Sequence, residues 1–314
     1  MKKGYFYIAV AVVMFTSFEV VLKFIAGQIN PVQLTLCRFA IGFVFLLPVA
    51  LHNLKKRGRK LDLRSMVYFA LLGFIGIALC MPILQMAVNY IGSSVSALMF
   101  SCNPVFVAFL AFFLLKEPIK PRHIAALALE IAGTVVIISP WDTELNLTGA
   151  ALALLSTLLF SIYGVLGKRK VAEFGGAVVT CFSFLFGSLI VLVFIFLTHI
   201  SAVSHMFQSM GLNSFADIPV FAGYTPENLP YVLFVSVGVA GIGFCAYFLA
   251  MKYEPASVVS LVYFFKPALS PILAWMVHGE EISQTMLFGI VLIVAGSLCS
   301  IIPGILESKR IKTS

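Results

Sequence analysis

Five charged residues stand inside long apolar runs, where a charge is out of place: Glu19, Lys23, Arg38, Glu130 and Lys266. At the centre of a membrane-spanning helix an ionised side chain costs on the order of 2.5–3.5 kcal/mol on insertion scales, so each marks a site or a pairing. Lys266 is the strongest candidate. It lies about 11 residues into its run, too deep for its stem to carry the ammonium to water cheaply. Helical spacing places Tyr263, Lys266 and Ser270 on one face. Pro267 and Pro271 free backbone carbonyls beside them, which is tolerated where backbone lines a cavity. A cation, a phenol, a hydroxyl and a loosened backbone suit an anionic group such as a carboxylate or phosphate. The competing reading is a structural salt bridge from Lys266 to Glu19 or Glu130.

Glu19 and Lys23 are one helical turn apart, with the acid first, the favourable order for a pair at this spacing. They read either as a self-neutralising pair or as a proton-coupling site, with the Glu19 carboxyl shifted upward by burial. Arg38, two turns from the end of the second run, is expected to pair with an acid and is also a candidate substrate contact. Asn103 shares a helix face with Ser96, and Gln85 with Asn89. Tyr163 and Tyr247, near the centres of their runs, offer pocket walls with a polar tip. Glu130 has apolar neighbours and is expected to bond a neighbouring helix.

Other chemistries lack their motifs. No GxxxxGK[ST] phosphate loop, HExxH pair or nucleophile elbow occurs, so neither ATP hydrolysis nor intramembrane catalysis is expected. The six cysteines lie in apolar runs without ligand or disulfide spacing and read as small packing residues. No metal and no cofactor is expected. The net charge of +8 is no nucleic-acid signature, because the basic residues sit in short loops between apolar runs.

The elements that hold these residues follow from composition. The 314 residues are 61% hydrophobic and 11% charged, against about 25% charged residues in soluble domains. Apolar runs near 5–26, 31–51, 65–90, 93–115, 121–140, 147–167, 175–198, 229–251, 255–277 and 283–303 are each long enough to cross a bilayer as a helix. The first run is too long for a signal peptide and carries Glu19 and Lys23. The expected fold is therefore all-α and integral to the membrane, with ten transmembrane helices. Alternate loops carry nearly all the Lys and Arg, notably Lys55, Lys56, Arg57, Arg59, Lys60 and Arg64. The others carry Asp142, Glu144, Asp217, Glu227, Glu280 and Glu281. This bias places both termini in the cytoplasm of a multi-pass inner-membrane protein.

The chain also repeats itself. With a shift of about 163 residues, Tyr90 falls on Tyr253, Pro104 on Pro267, Glu117 on Glu280 and Gly133 on Gly296. With a shift of about 145, Phe15 falls on Phe160, Lys23 on Lys168, Phe39 on Phe184 and Gly42 on Gly187. The expected domains are a first five-span repeat, 1–140, a second, 146–303, and a short basic cytoplasmic tail, 304–314. Five spans is an odd number, so the second copy must be inverted, the geometry of alternating access. Gly73 and Gly76, and Gly238, Gly241 and Gly243, are expected at close helix contacts. The long loop 199–228 is expected to lie at the membrane interface. The implied partners are membrane lipid, a small-molecule substrate and a proton or substrate gradient, in a monomer or homodimer that binds no nucleic acid.

These features resemble the drug/metabolite transporter superfamily, and within it the EamA-like ten-span transporters. The residues that carry the resemblance are Pro31 followed by Arg38, Tyr90 to Val95, Asn103-Pro104, Leu115-Lys116-Glu117, Gly133, Pro255-Ala256-Ser257, Pro267, Gly279-Glu280-Glu281 and Gly296. The resemblance implies two five-span bundles around a central cavity, with spans five and ten peripheral. It implies export of amino acids and other metabolites, carriage of nucleotide sugars or sugar phosphates, or translocation of lipid-linked sugars. Glu117 and Glu280 match the family's acid after spans four and nine, and read as structural caps. Ser183 stands where Arg38 would repeat.

Overall fold

The computed structural model describes residues 2–118, 121–138, 146–279, 284–285 and 287–296, and among them all regular structure is helical. Glu280, Glu281, Asp142, Glu144 and the basic tail lie outside the described residues. So do the side chains of Glu19, Glu130, Lys266 and Ser270, whose backbones lie in helices. The order is α1 Lys2–Phe24, α2 Pro31–Lys56, α3 Leu63–Gly73, a π-helical segment Phe74–Leu79, α4 Cys80–Ser101, α5 Asn103–Leu115 and α6 Pro121–Ile138. Then follow α7 Leu147–Phe174, α8 Gly176–Thr198, α9 Ser201–Ser209, α10 Leu229–Leu233, a second π-helical segment Phe234–Gly243, α11 Phe244–Ala250, α12 Ala256–Val259 and α13 Val262–His278.

Six helices or helical runs are long and apolar enough to cross a membrane: Lys3–Phe24, Pro31–Lys56, Leu63–Gly92, Leu147–Phe174, Gly176–Thr198 and Leu229–Ala250. Shorter apolar helices occur at Met99–Leu115, Ile124–Gly133, Ala256–Phe265 and Leu287–Gly296, the positions of the remaining expected spans. The protein is a multi-pass helical membrane protein.

Helix boundaries follow capping chemistry. Asn30 Oδ1 accepts from the amides of Val32 at 2.9 Å and Gln33 at 3.3 Å, with Pro31 opening α2. Asp62 caps α3 through Ser65 N, and Asn146 caps α7 through Gly149 N. At Gly92 the chain takes φ 75°, a left-handed turn inside α4 that splits the third expected span from the fourth. A further break at Cys102 then starts α5 at Asn103-Pro104.

Helices before residue 140 pack mainly on helices after residue 146: α1 on α11 and α13, α2 and α3 on α8, α4 and α5 on α7. Glycine permits the closest approaches, as expected. A methyl on Gly73 would overlap the backbone of Ser183 and Gly187, and one on Gly76 would overlap the Tyr163 ring. Gly76 lies in the first π-helical segment, and Gly238, Gly241 and Gly243 in the second.

The 199–228 loop departs from the expected interfacial segment. Its helix α9 exposes Met206, but Leu212, Phe215 and Ile218 are buried in the main core. Burial of three large side chains draws the segment onto the bundle.

Candidate functional site

Arg38 is the central observation. It projects from α2 with 9% of its surface exposed. Its guanidinium lies over the Phe18 ring at 4.9 Å and the Phe39 ring at 4.6 Å. Its Nη2 donates to Met81 Sδ at 3.2 Å, and its Nε has no partner. Among the described side chains no carboxylate pairs with Arg38; those of Glu19 and Glu130 lie outside them. Aromatic faces and a polarizable sulfur hold the charge in place of an anion.

Phe39 opens onto a buried aromatic cluster. It meets Phe184 and Phe244 edge-on, and Phe244 meets Phe15 and Phe160. Tyr263 of α13 stacks on Phe15 at 5.6 Å and contacts Phe100, Phe160 and Tyr247. The hydroxyls of Tyr247 and Tyr263 are buried and unpartnered, as is Asn103 Oδ1. A buried polar atom without a partner costs about 1–3 kcal/mol, so the two cluster hydroxyls are free to bond a water or a ligand's polar group. Two neighbouring polar groups do find partners. Asn103 Nδ2 donates to Ser161 Oγ at 2.7 Å, and Tyr163 OH pairs with Ser183 Oγ at 3.1 Å.

Tyr263 and Tyr247 thus meet in the cluster, Tyr163 joins it through Phe160, Asn103 pairs with Ser161 on α7, and Arg38 reaches it through Phe39. Lys266 and Ser270 lie on α13, in the same helix as Tyr263. Ser96 is buried but returns its hydroxyl to Gly92 O within its own helix. Gln85 is half-buried on α4. Asn89 is not brought to the cluster: it is exposed, and its amide donates to Ser214 Oγ of the long loop at 2.9 Å. Lys23 is exposed in the last turn of α1. Phe15, Phe160 and Phe244 were not singled out from the sequence, because a Phe among thirty carries no signal of its own.

Both ends of the bundle are bridged. At the end with the basic loops, Lys168 Nζ meets Glu117 Oε1 at 2.5 Å and donates to Glu254 O at 2.9 Å. The Glu117 carboxylate also accepts from Ala256 N at 2.9 Å. Glu117 is therefore the expected cap, of α12, and also an ion-pair partner for α7. At the opposite end the long loop is tied to the start of α2. Asn30 Nδ2 donates to Ser214 O, Gln33 Nε2 to Val220 O and Ala222 O, and Asn228 Nδ2 to Gln28 Oε1. Gly223, at φ 82°, lies so close to Gln28 O that no side chain fits between them.

A buried cation beside an aromatic, partly unsatisfied polar cluster, inside a bundle bridged at both ends, is the constitution of a membrane transporter. The EamA-like transporter family model matches residues 2–139 and again 147–302. An uncharacterized transporter of Clostridium kluyveri is 31% identical over 306 residues, covering 95% of this chain and 93% of its own. The uncharacterized transporter YdfC of Bacillus subtilis is 25% identical over 268 residues, covering 85% and 80%. A protein known by its crystal structure superposes with a TM-score of 0.75 at 20% identity, over 96% of this chain and 98% of its own, which establishes the shared fold. The chain belongs to the EamA-like transporter family.

Proposed function

We propose that this transporter is a ten-span inner-membrane exporter of a small amphipathic metabolite bearing a carboxylate, such as an amino acid. In this reading both termini are cytoplasmic and the two five-span repeats are inverted. The observation that supports it is Arg38: a buried cation held, among the described residues, by two aromatic rings and a thioether, with Phe39 leading from it to the aromatic cluster. Such a charge is costly to bury and is retained where an anion neutralises it in the working cycle. Arg38 and Lys266 would take the carboxylate; Tyr247, Tyr263, Asn103 and Ser270 would orient it; Phe15, Phe160 and Phe244 would cover the apolar part.

The Lys168–Glu117 pair would be the cytoplasmic gate and the 199–228 loop the outer one. Alternating access requires that the two bridges break in turn, and rocking of the repeats against each other would break them. Glu19 is the proposed proton-coupling group, with Lys23 beside it.

Counterflow in proteoliposomes with a panel of amino acids and carboxylates tests the reading. Saturable exchange is expected, lost in Lys266→Ala. Acyl-chain translocation in place of carboxylate exchange would indicate a lipid-headgroup flippase, and binding without flux a receptor. A pH-gradient dependence that survives Glu19→Gln would remove Glu19 from coupling.

A further inference from the structure

The basic end of the molecule holds a cleft of about 640 Å³ whose lining shares no residue with the Arg38 site or the aromatic cluster. Its walls come from both sides of residue 140: the 58–65 segment with the first turn of α3, and the last turn of α7. Four cations line it, Arg59, Lys60, Arg64 and Lys170, against two acids, Asp62 and Glu173. Both acids are already engaged. Asp62 caps α3 through Ser65 N at 3.2 Å, and Glu173 pairs with Lys170 at 2.9 Å and Arg59 at 3.7 Å. Among the described residues, no ion pair or side-chain hydrogen bond forms at Lys60 or Arg64. The start of α3 adds the positive end of a helix dipole to the same cleft.

A second feature says what enters it. From the mouth of the cleft, α3 exposes Leu63 (78%), Val67 and Leu71, and the π-helical segment after it Phe74, at spacings of three and four, a continuous apolar stripe running away from the charges. A phosphate beside a strip of lipid-facing hydrocarbon is the profile of a phospholipid, not of a free phosphate, whose carbon-free body would leave the stripe unused.

We propose that this cleft binds the phosphate headgroup of one anionic phospholipid of the cytoplasmic leaflet, with Lys60 and Arg64 as the principal contacts and an acyl chain along the α3 stripe. The inference rests on the membrane orientation proposed above and is independent of the substrate. Because the walls belong to different halves of the chain, a lipid seated there would couple them at the cytoplasmic surface.

Native mass spectrometry of the full chain in detergent, titrated with phosphatidylglycerol or with phosphatidylcholine of the same acyl chains, tests this. One phosphatidylglycerol should be retained, at higher affinity than phosphatidylcholine. Lys60→Gln/Arg64→Gln should weaken it by roughly 30-fold, given the attraction of basic residues for anionic lipid surfaces. Lys55→Gln/Lys56→Gln removes the same charge from the exposed end of α2 outside the cleft, and should leave retention unchanged. Equal loss in both double variants, or equal retention of the two lipids, would overturn the proposal. So would competition by millimolar inorganic phosphate that abolishes phosphatidylglycerol retention, since the ligand would then be the free anion.

Discussion

Replacing Arg38 with methionine separates a structural arginine from a functional one. An arginine in a buried ion pair leaves an uncompensated charge when it is removed, at a cost of about 3–5 kcal/mol. Arg38 has no such partner among the described residues. What the substitution removes is two guanidinium–ring contacts, at 4.9 and 4.6 Å, and one bond to a thioether. Each ring contact is worth about 0.5–2 kcal/mol. Against this stands the desolvation of a guanidinium that is 9% exposed, an effective penalty of several kcal/mol in a protein interior. Methionine keeps the length of the side chain, fills the space between Phe18 and Phe39, and leaves no donor unpaired.

The sum is near zero or favourable by about 1–3 kcal/mol. Arg38→Met should therefore melt at the wild-type temperature or a few degrees above it, by intrinsic fluorescence in detergent. Carboxylate counterflow should fall at least 100-fold, from the loss of a charged contact worth about 3 kcal/mol to the bound anion. A drop in stability of 3 kcal/mol or more would show that Arg38 pairs structurally. Undiminished counterflow would show that the anion is held elsewhere. Either result refutes the reasoning.

Glu117→Gln keeps the cap on Ala256 N and removes the charge facing Lys168, whose side chains are 15% and 18% exposed respectively. If the pair is the proposed gate, the loss is about 2 kcal/mol of closure, and a maleimide applied from the basic side should label Ser161→Cys, in a cysteine-free background, about 30-fold faster. Gly223→Ala forces a side chain against Gln28 O at φ 82°. It should release the outer loop, with faster protease cleavage between 210 and 228 and an unchanged melting midpoint of the bundle, whereas cleavage at the wild-type rate would mean that the loop is not held by this contact. Burial raises the Glu254 carboxyl above its ordinary 4.5, with Lys168 opposing. An acid raised in the folded state binds more protons folded than unfolded, so its contribution to stability falls as pH rises from about 4.5 through the raised value. Glu254→Gln should flatten that fall in pH-dependent melting curves; identical curves would end the assignment.

Intramembrane charge made part of the candidate site legible in the sequence. Arg38 stands out because lipid admits few cations, and Tyr263 follows from helical spacing; Lys266, read on the same ground, has its side chain outside the described residues. The rings and the sulfur around Arg38 were not foreseen, because Phe18, Phe39 and Met81 are residue types that carry no charge and were not weighed as partners for a cation. The aromatic cluster was hidden for the opposite reason: Phe is everywhere in a membrane helix, and only packing distinguishes Phe15 or Phe244 from lipid-facing Phe109 and Phe196. Lys168 looked like one more topology-setting charge, since a positive-inside residue and one that bridges two helices have the same type and position. The outer loop was illegible because its ties end on the backbone carbonyls of Ser214, Val220 and Ala222, which leave no trace in residue identity.

The two bridges differ in chemistry, and the difference suits their proposed sides. Neutral amides make the outer one: Asn30, Gln33, Asn89 and Asn228 donate to oxygens. Each such bond contributes about 0.5–1.5 kcal/mol net. Four or five of them hold the loop by a few kcal/mol, enough to keep it closed and small enough for ligand binding or release to reverse. Their strength hardly changes with the salt or pH of the medium. Lys168–Glu117 is an ion pair, responsive to both, and in the proposed orientation it faces the cytoplasm, where salt and pH are buffered. Exchanging the chemistries would tie the outer gate to external acidity, as the carboxylate would be protonated and the bridge lost. In the proposed cycle, a neutral outer strap and a charged inner latch would keep each closure within a free-energy range that the same conformational change could cross in both directions.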